Sequence, residues 1–220
     1  MGGQRRLSKT DTLGELFPRY TELEMADAQP APRTVPMLET ARLRLRPHRP
    51  DDFDFSAALW SDPVVTRFIG GRALTREEVW GRLLRYDGHW AMLGFGYWAM
   101  EEKLTGVFLG ELGFADLQRE IEPRLDGMAE IGWVLASQYH GKGYAIEAVR
   151  AVIAWGDAHL STSHMVALIH PDNAASIRLA EKFAFRELCR TTYDSVPTIQ
   201  FVRNIPSRHV PIRHLPDQHP

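Results

Sequence analysis

From Thr40 to His48 the chain alternates Leu43 and Leu45 with Arg42, Arg44 and Arg46, the period of two that marks a half-buried strand. Residues 51–60 and 75–90 read as helices. The second opens on Thr75 and Glu78 at capping-box spacing and carries Val79, Leu83, Tyr86 and Trp90 along one side. β-rich runs at 95–102, 105–117 and 129–136, the last two joined by a charged loop at 118–128, predict three antiparallel strands. Residues 141–160 form a strongly amphipathic helix with Ile146, Val149, Val152, Ile153 and Leu160 on its core face and Glu147, Arg150 and Asp157 elsewhere. A strand at 164–170, a helix at 173–183 and strands at 184–193 and 198–204 complete the pattern. The order β-α-α-β-β-β-α-β-α-β-β has no internal repeat and predicts a mixed α/β (α+β) fold, with about seven strands flanked by helices. The β-α-β unit around residue 141 should be a right-handed crossover between parallel strands.

The flanks differ. Residues 1–37 are polar and interrupted by proline, with one short helical piece before Pro18, and residues 205–220 form a proline-rich tail carrying His209, His214 and His219. The expected organisation is an extension at 1–37, one domain at 38–204 and a tail at 205–220. Composition sets outer limits. With 44% apolar and 25% charged residues among 220, the chain has the balance of a soluble globular protein. Lys plus Arg number 26 against 28 Asp plus Glu, so no overall field favours nucleic acid or an anionic membrane. The single Cys189 cannot form an internal disulfide, no signal-like apolar stretch follows Arg5 and Arg6, and no apolar run approaches the ~20 residues of a bilayer span. A cytoplasmic protein, monomer or homodimer, is expected.

The stretch Ser137-Gln-Tyr-His-Gly-Lys-Gly-Tyr144 places two glycines and a lysine between a strand and a helix. The first amides of a helix lack intrahelical partners and carry partial positive charge, so this end favours an anion such as phosphate. Gly141 and Gly143 clear side chains from the backbone, while Gln138, His140 and Lys142 supply donors or charge. An ordinary strand-to-helix turn fits the same residues. A Walker A loop is absent, and a Rossmann fingerprint fails because position 146 is Ile.

Two motifs together carry more. Gln138-x-x-Gly-Lys-Gly-Tyr-Ala-x-Glu-Ala-Val-Arg150 after Ala129-Glu-Ile-Gly-Trp-Val-Leu135, followed by His170-Pro-Asp-Asn-Ala-Ala-Ser-Ile-Arg-Leu-Ala-Glu-Lys-Phe-Ala-Phe185, resembles the GNAT superfamily of N-acetyltransferases, and within it the RimJ/RimL-like branch that acetylates ribosomal-protein N-termini. The resemblance spans roughly residues 38–204. It implies a mostly antiparallel sheet in which acetyl-CoA lies between two splayed parallel strands, here 129–136 and 164–170. The pantetheine arm would add to the edge at Trp133, Val134 and Leu135, as in β-augmentation. The diphosphate would rest on the turn from Gln138 through His140, Gly141, Lys142, Gly143 and Tyr144 to Ala145. The implied reaction is direct acetyl transfer to a primary amine, a protein N-terminal α-amine or a small-molecule amine.

That reaction needs a neutral amine, a stabilised oxyanion and a proton for the departing thiolate. Glu130 is the first candidate base, against a strand-end carboxylate in a surface contact; Glu111 is the second, against a structural role; a water chain is the third. Asn173 and Ser176 share a helix face at i and i+3, and the resemblance assigns them to pantetheine and to the region of the sulfur. Helix capping explains the same spacing. Many relatives place a tyrosine acid where this chain has Ala180, which leaves Ser176 or a water it holds as the proton donor. Ala184 stands where a glycine commonly ends the helix, and the helix end is expected to change locally. Cys189 lacks a histidine partner and reads as packing. His159, His164 and His170 have no metal spacing, so no metal is expected. The aromatic stretch with Trp90, Phe95, Tyr97 and Trp98 reads mostly as core, part of it walling the acceptor pocket. Two alternatives stay open: a CoA-binding sensor or interaction module without catalysis, and an enzyme for a longer acyl group such as succinyl, for which Arg72 or Arg82 would supply a cation.

Overall fold

The computed structural model describes residues 34–206, so the short helical piece before Pro18 and the three tail histidines lie outside the described residues. Strands β1 (Leu38–Glu39), β2 (Leu43–Arg46), β3 (Tyr97–Glu102), β4 (Phe108–Ala115), β5 (Ala129–Leu135), β6 (His164–Ile169), β7 (Arg186–Tyr193) and β8 (Val196–Asn204) make one eight-stranded sheet. Its order is β1-β2-β3-β4-β5-β6-β8-β7. Only β5 and β6 pair in parallel; every other neighbour is antiparallel. The strand beyond the seven expected is β1, whose two residues are too few to show an alternating pattern.

Five α-helices join these strands: α1 (Phe53–Ser61), α2 (Pro63–Thr66), α3 (Arg76–Leu93), α4 (Tyr144–His159) and α5 (Ala174–Lys182). The unexpected α2 is a single turn started by local chemistry. Pro63 occupies its first position and the Asp62 carboxylate accepts the Val64 N–H at 2.8 Å. In α3 the predicted capping box is present: Thr75 Oγ1 accepts from the Glu78 N–H at 3.2 Å, and the Glu78 carboxylate accepts from the Thr75 N–H at 2.8 Å. No described helix is long and apolar enough to cross a membrane.

Adjacent residues of β5 face opposite sides of the sheet, as the strand period requires. Ile131 and Leu135 join the larger core cluster with Val149, Val152 and Ile153 of α4, whereas Val134 joins a smaller one with Ala57 and Trp60 of α1 and Val79 of α3. Trp90, Trp98 and Trp155 meet edge to face at 4.8–5.5 Å in the larger cluster. Ile146 is half-buried, packing against the larger cluster while also lining a cavity.

The entry to α1 is pinned by a buried ion network. Arg46 donates to both Asp52 oxygens at 2.8 and 2.7 Å and to Glu101 at 2.6 Å. Burial is the largest single influence and opposes ionisation of Asp52 and Glu101, but the hydrogen bonds and charge of Arg46, with the Arg49 N–H at Asp52 and Arg44 at Glu101, together outweigh it and hold both carboxyls below their usual range.

Candidate active site

The parallel pairing of β5 with β6 extends over two residues, Ala129 opposite Met165 and Glu130 opposite Val166. Beyond them β5 stays paired with β4 as far as Leu135, and β6 stays paired with β8 as far as Ile169, so the two strands part while each keeps its other neighbour. The β5 edge from Ile131 onward therefore has no ladder partner on the β6 side. A cavity of about 710 Å³ opens there, lined by Trp133, Val134 and Leu135, by the turn before α4 and by the start of α5. A smaller cavity of about 60 Å³ lies at the point of the splay, between Ile131 and Gly132 on one side and Ala167 and Ile169 on the other.

The turn is shaped by backbone. Gly141 and Gly143 have φ of 74° and 80°, in the left-handed region that a side chain disfavours, and Gly143 is the N-cap of α4. The first backbone bond into the helix is from the Glu147 N–H to the Gly143 carbonyl at 3.2 Å, so the amides of Tyr144, Ala145 and Ile146 precede the ladder. Glu147 braces the turn from behind, accepting from Thr40 Oγ1 at 2.6 Å, the Arg42 N–H at 2.8 Å and Arg42 Nε at 2.7 Å. Arg42 in turn donates to the Lys142 carbonyl at 3.0 Å. Ser137 Oγ donates to Asp62 at 2.5 Å, which ties the turn to α2.

His140, Gly141, Gly143, Tyr144 and Ala145 line the cavity, and His140 Nε2 lies 2.9 Å from the Leu135 carbonyl. Gln138 and Lys142 are exposed and do not line it; Lys142 Nζ sits 5.3 Å from the Tyr139 ring. The pattern of residues missed three cations on the wall, Arg67, Arg178 and Lys182. Arg178 and Lys182 lie at i and i+4 on α5, a spacing visible in the sequence; Arg67 follows the unexpected α2 and had no signal.

Asn173 and Ser176 both line the cavity, and capping and cavity lining coexist. Asn173 Oδ1 accepts the Ser176 N–H at 3.1 Å, leaving its side-chain N–H₂ available, and Ser176 Oγ accepts from Trp133 Nε1 at 3.3 Å, leaving its O–H to donate. Ala180 is buried in the larger core. Ala184 keeps the left-handed conformation at φ 65°, and the Phe185 N–H reaches the Ala180 carbonyl at 3.1 Å, so the expected change at this helix end does not occur. Cys189 lies on the edge strand β7, separated from β6 by β8.

The two carboxylate candidates have different surroundings. Glu130, at the last paired position before the splay, accepts from Arg119 Nε at 2.7 Å and Nη2 at 2.9 Å. Glu111 is fully buried on the opposite side of the sheet from α4 and accepts from Trp60 Nε1 at 2.6 Å, Tyr86 Oη at 2.7 Å and Ser56 Oγ at 3.3 Å. The Tyr86 ring stacks on Tyr97 at 4.5 Å and 3°, and His48 lies 5.0 Å from Tyr86 with both ring nitrogens buried and unpartnered among the described residues. Gly132 is required here for space, since a Cβ would collide with the Tyr97 hydroxyl. Arg72 is held at the exposed start of α3 by Glu78, at 2.5 and 2.9 Å. Among the described residues no group of three or more His, Cys, Asp or Glu could hold a metal ion.

The family described as acetyltransferase (GNAT) domain matches residues 42–186. An uncharacterized protein of Bacillus subtilis (strain 168), YkkB, is 37% identical over 149 residues, covering 66% of this chain and 82% of YkkB. The crystal structure of an acetyltransferase from Agrobacterium tumefaciens str. C58 is similar at a TM-score of 0.67 and 25% identity, covering 77% of this chain and 95% of that one. RimL, the ribosomal L7/L12 alpha-N-protein acetyltransferase solved in complex with coenzyme A, shares the fold at a TM-score of 0.63 and 16% identity, over 77% and 98% of the two chains. The splayed parallel pair, the glycine turn and the matched sequence agree: the chain belongs to the GNAT acetyltransferase family.

Proposed function

We propose that the protein transfers acetyl from acetyl-CoA to a primary amine by direct attack in a ternary complex, in the manner of the RimJ/RimL-like branch and in the cytoplasm. The acceptor is a protein N-terminal α-amine or a small-molecule amine. One observation carries this reading: where β5 and β6 part, a free strand edge, a helix N-terminus and the Ser176 hydroxyl open onto one cavity.

In this reading the edge at Trp133, Val134 and Leu135 bonds the pantetheine arm as an added strand would. The amides entering α4 hold the diphosphate, and Arg67, Arg178 and Lys182 balance its charge. The Asn173 amide positions the arm. As the amine nitrogen bonds to the carbonyl carbon and the carbon–sulfur bond breaks, Ser176 or a water it holds passes a proton to the thiolate and is reprotonated from solvent. Glu130 receives the amine proton through water. Arg119 uses two of the roughly four lone-pair sites of its carboxylate, which leaves sites for that water. Glu111, with three donors already in place, keeps the side chains behind it in register.

The experiment is release of free thiol from acetyl-CoA over a panel of amines and peptides, with mass detection of the acetylated product. Stoichiometric thiol and product from at least one amine supports transfer. Tight acetyl-CoA binding with no release from any acceptor favours the sensor reading.

A further inference from the structure

On the side of the sheet covered by α1 and α3, Arg82 is half-buried with its guanidinium carbon 4.0 Å over the Trp60 ring. Its one side-chain hydrogen bond is a long one, Nη1 to Tyr86 Oη at 3.4 Å, and it has no carboxylate within 4.0 Å among the described residues. Glu111, engaged by Trp60, Tyr86 and Ser56, makes no hydrogen bond to it and acts on it only through its charge. Arg119, by contrast, is committed to Glu130. Arg85, one helical step along α3, is exposed and also lacks an acidic partner among the described residues.

Most donors of Arg82 are left to solvent and open to a ligand, and its planar fork fits a carboxylate. Two stacked rings link it to the splay. Tyr86 stacks on Tyr97, and the Tyr97 hydroxyl, itself without a partner among the described residues, stands over Gly132 at the splay. Resting on the acetyl-transfer reading above, we infer that this side-chain cluster selects primary amines that carry a carboxylate, held by Arg82 with Arg85 beside it and with Tyr97 contacting the acceptor beside Gly132. Burial, then the charge of Glu130, pushes the Tyr97 hydroxyl well above its usual range, so it meets the acceptor as a neutral donor and acceptor of hydrogen bonds.

The test uses the full-length protein with saturating acetyl-CoA and acceptors paired to differ by one carboxylate. The pairs are L-amino acids against their amides, and C-amidated peptides with Asp against Asn at the second residue. The expected result is a kcat/KM preference of about tenfold or more for the carboxylate member, expressed through KM, in one of the two series. Whichever series responds shows whether the carboxylate is main-chain or side-chain. Arg82→Gln and Arg85→Gln each bring the ratio toward one, Arg82→Lys retains part of it, and acetyl-CoA binding by calorimetry stays unchanged in all three. Equal rates within every pair, or a preference that survives both Gln substitutions, overturns the inference and leaves acetyl transfer standing. A preference for succinyl-CoA over acetyl-CoA that disappears in Arg82→Gln assigns the cation to the acyl group and overturns it as well. Acetyl-CoA binding without transfer to any amine defeats the transfer reading, and this inference with it.

Discussion

On the α4 side of β5 the cleft is made largely from backbone: an unpaired strand edge, two glycines in the left-handed region and the first amides of a helix. On the α1 and α3 side the cluster is made from side chains, with Trp60, Tyr86, Tyr97, Glu111 and Arg82 arriving from four different elements. A backbone site accepts a ligand common to a whole family, because it depends on conformation more than on side-chain identity. A side-chain site sets which acceptor is taken, and single substitutions retune it. Under the proposed function, the difference would put cofactor binding and acceptor choice on separable parts of one sheet, meeting at Gly132.

Breaking the side-chain cluster alone should have the largest effect. Glu111→Ala leaves three donors without their acceptor in a closed space and should destabilise the protein by about 3 kcal/mol in denaturant titration. The acetyl-CoA affinity of the fraction that remains folded should not change. At the junction, Glu130→Gln should lower kcat about 100-fold with acetyl-CoA affinity unchanged. An unaltered kcat would reduce Glu130 to an anchor for Arg119.

A smaller effect separates structural charge from the site. Asp52 and Glu101 have folded pKa values depressed by Arg46, so their stabilisation is present above the unfolded carboxylate range near 4 and is lost as pH falls through the lower folded values. The melting temperature should therefore drop as pH goes from about 4 toward 2, and Asp52→Asn should start lower and show a flatter pH dependence. Smallest is Ala184→Gly, which removes the cost of a left-handed alanine against the greater chain entropy of glycine. It should stabilise by about 0.5–1 kcal/mol, a rise of a few degrees in melting temperature.

The cleft was legible because its parts are contiguous. The glycine turn, the preceding strand and the start of α5 each carry a local pattern, and the capping box and amphipathic face of α4 fixed the helices around them. Two stretches had no such pattern. The two-residue β1 and the single-turn α2 are too short for periodicity, so the cavity wall at Arg67 was missed with α2. The side-chain cluster was mostly hidden for another reason. Arg82 and Tyr86 look like ordinary positions on an amphipathic helix, and only the sheet register, which sets Glu111 opposite Val134 and Tyr97 opposite Gly113, brings them together. At Glu111 no local pattern separates a base from a structural carboxylate, since its three donors come from α1 and α3, far along the chain.

The most direct test of the account is calorimetric titration of acetyl-CoA into the wild type, Gly143→Glu and Arg82→Gln proteins side by side, each checked for native circular dichroism. The account predicts one shared Kd for the wild type and Arg82→Gln, and binding at least about 100-fold weaker in Gly143→Glu, where a left-handed backbone and a carboxylate oppose an anion at the helix start. Undiminished binding by Gly143→Glu, or no binding by the wild type, would contradict it.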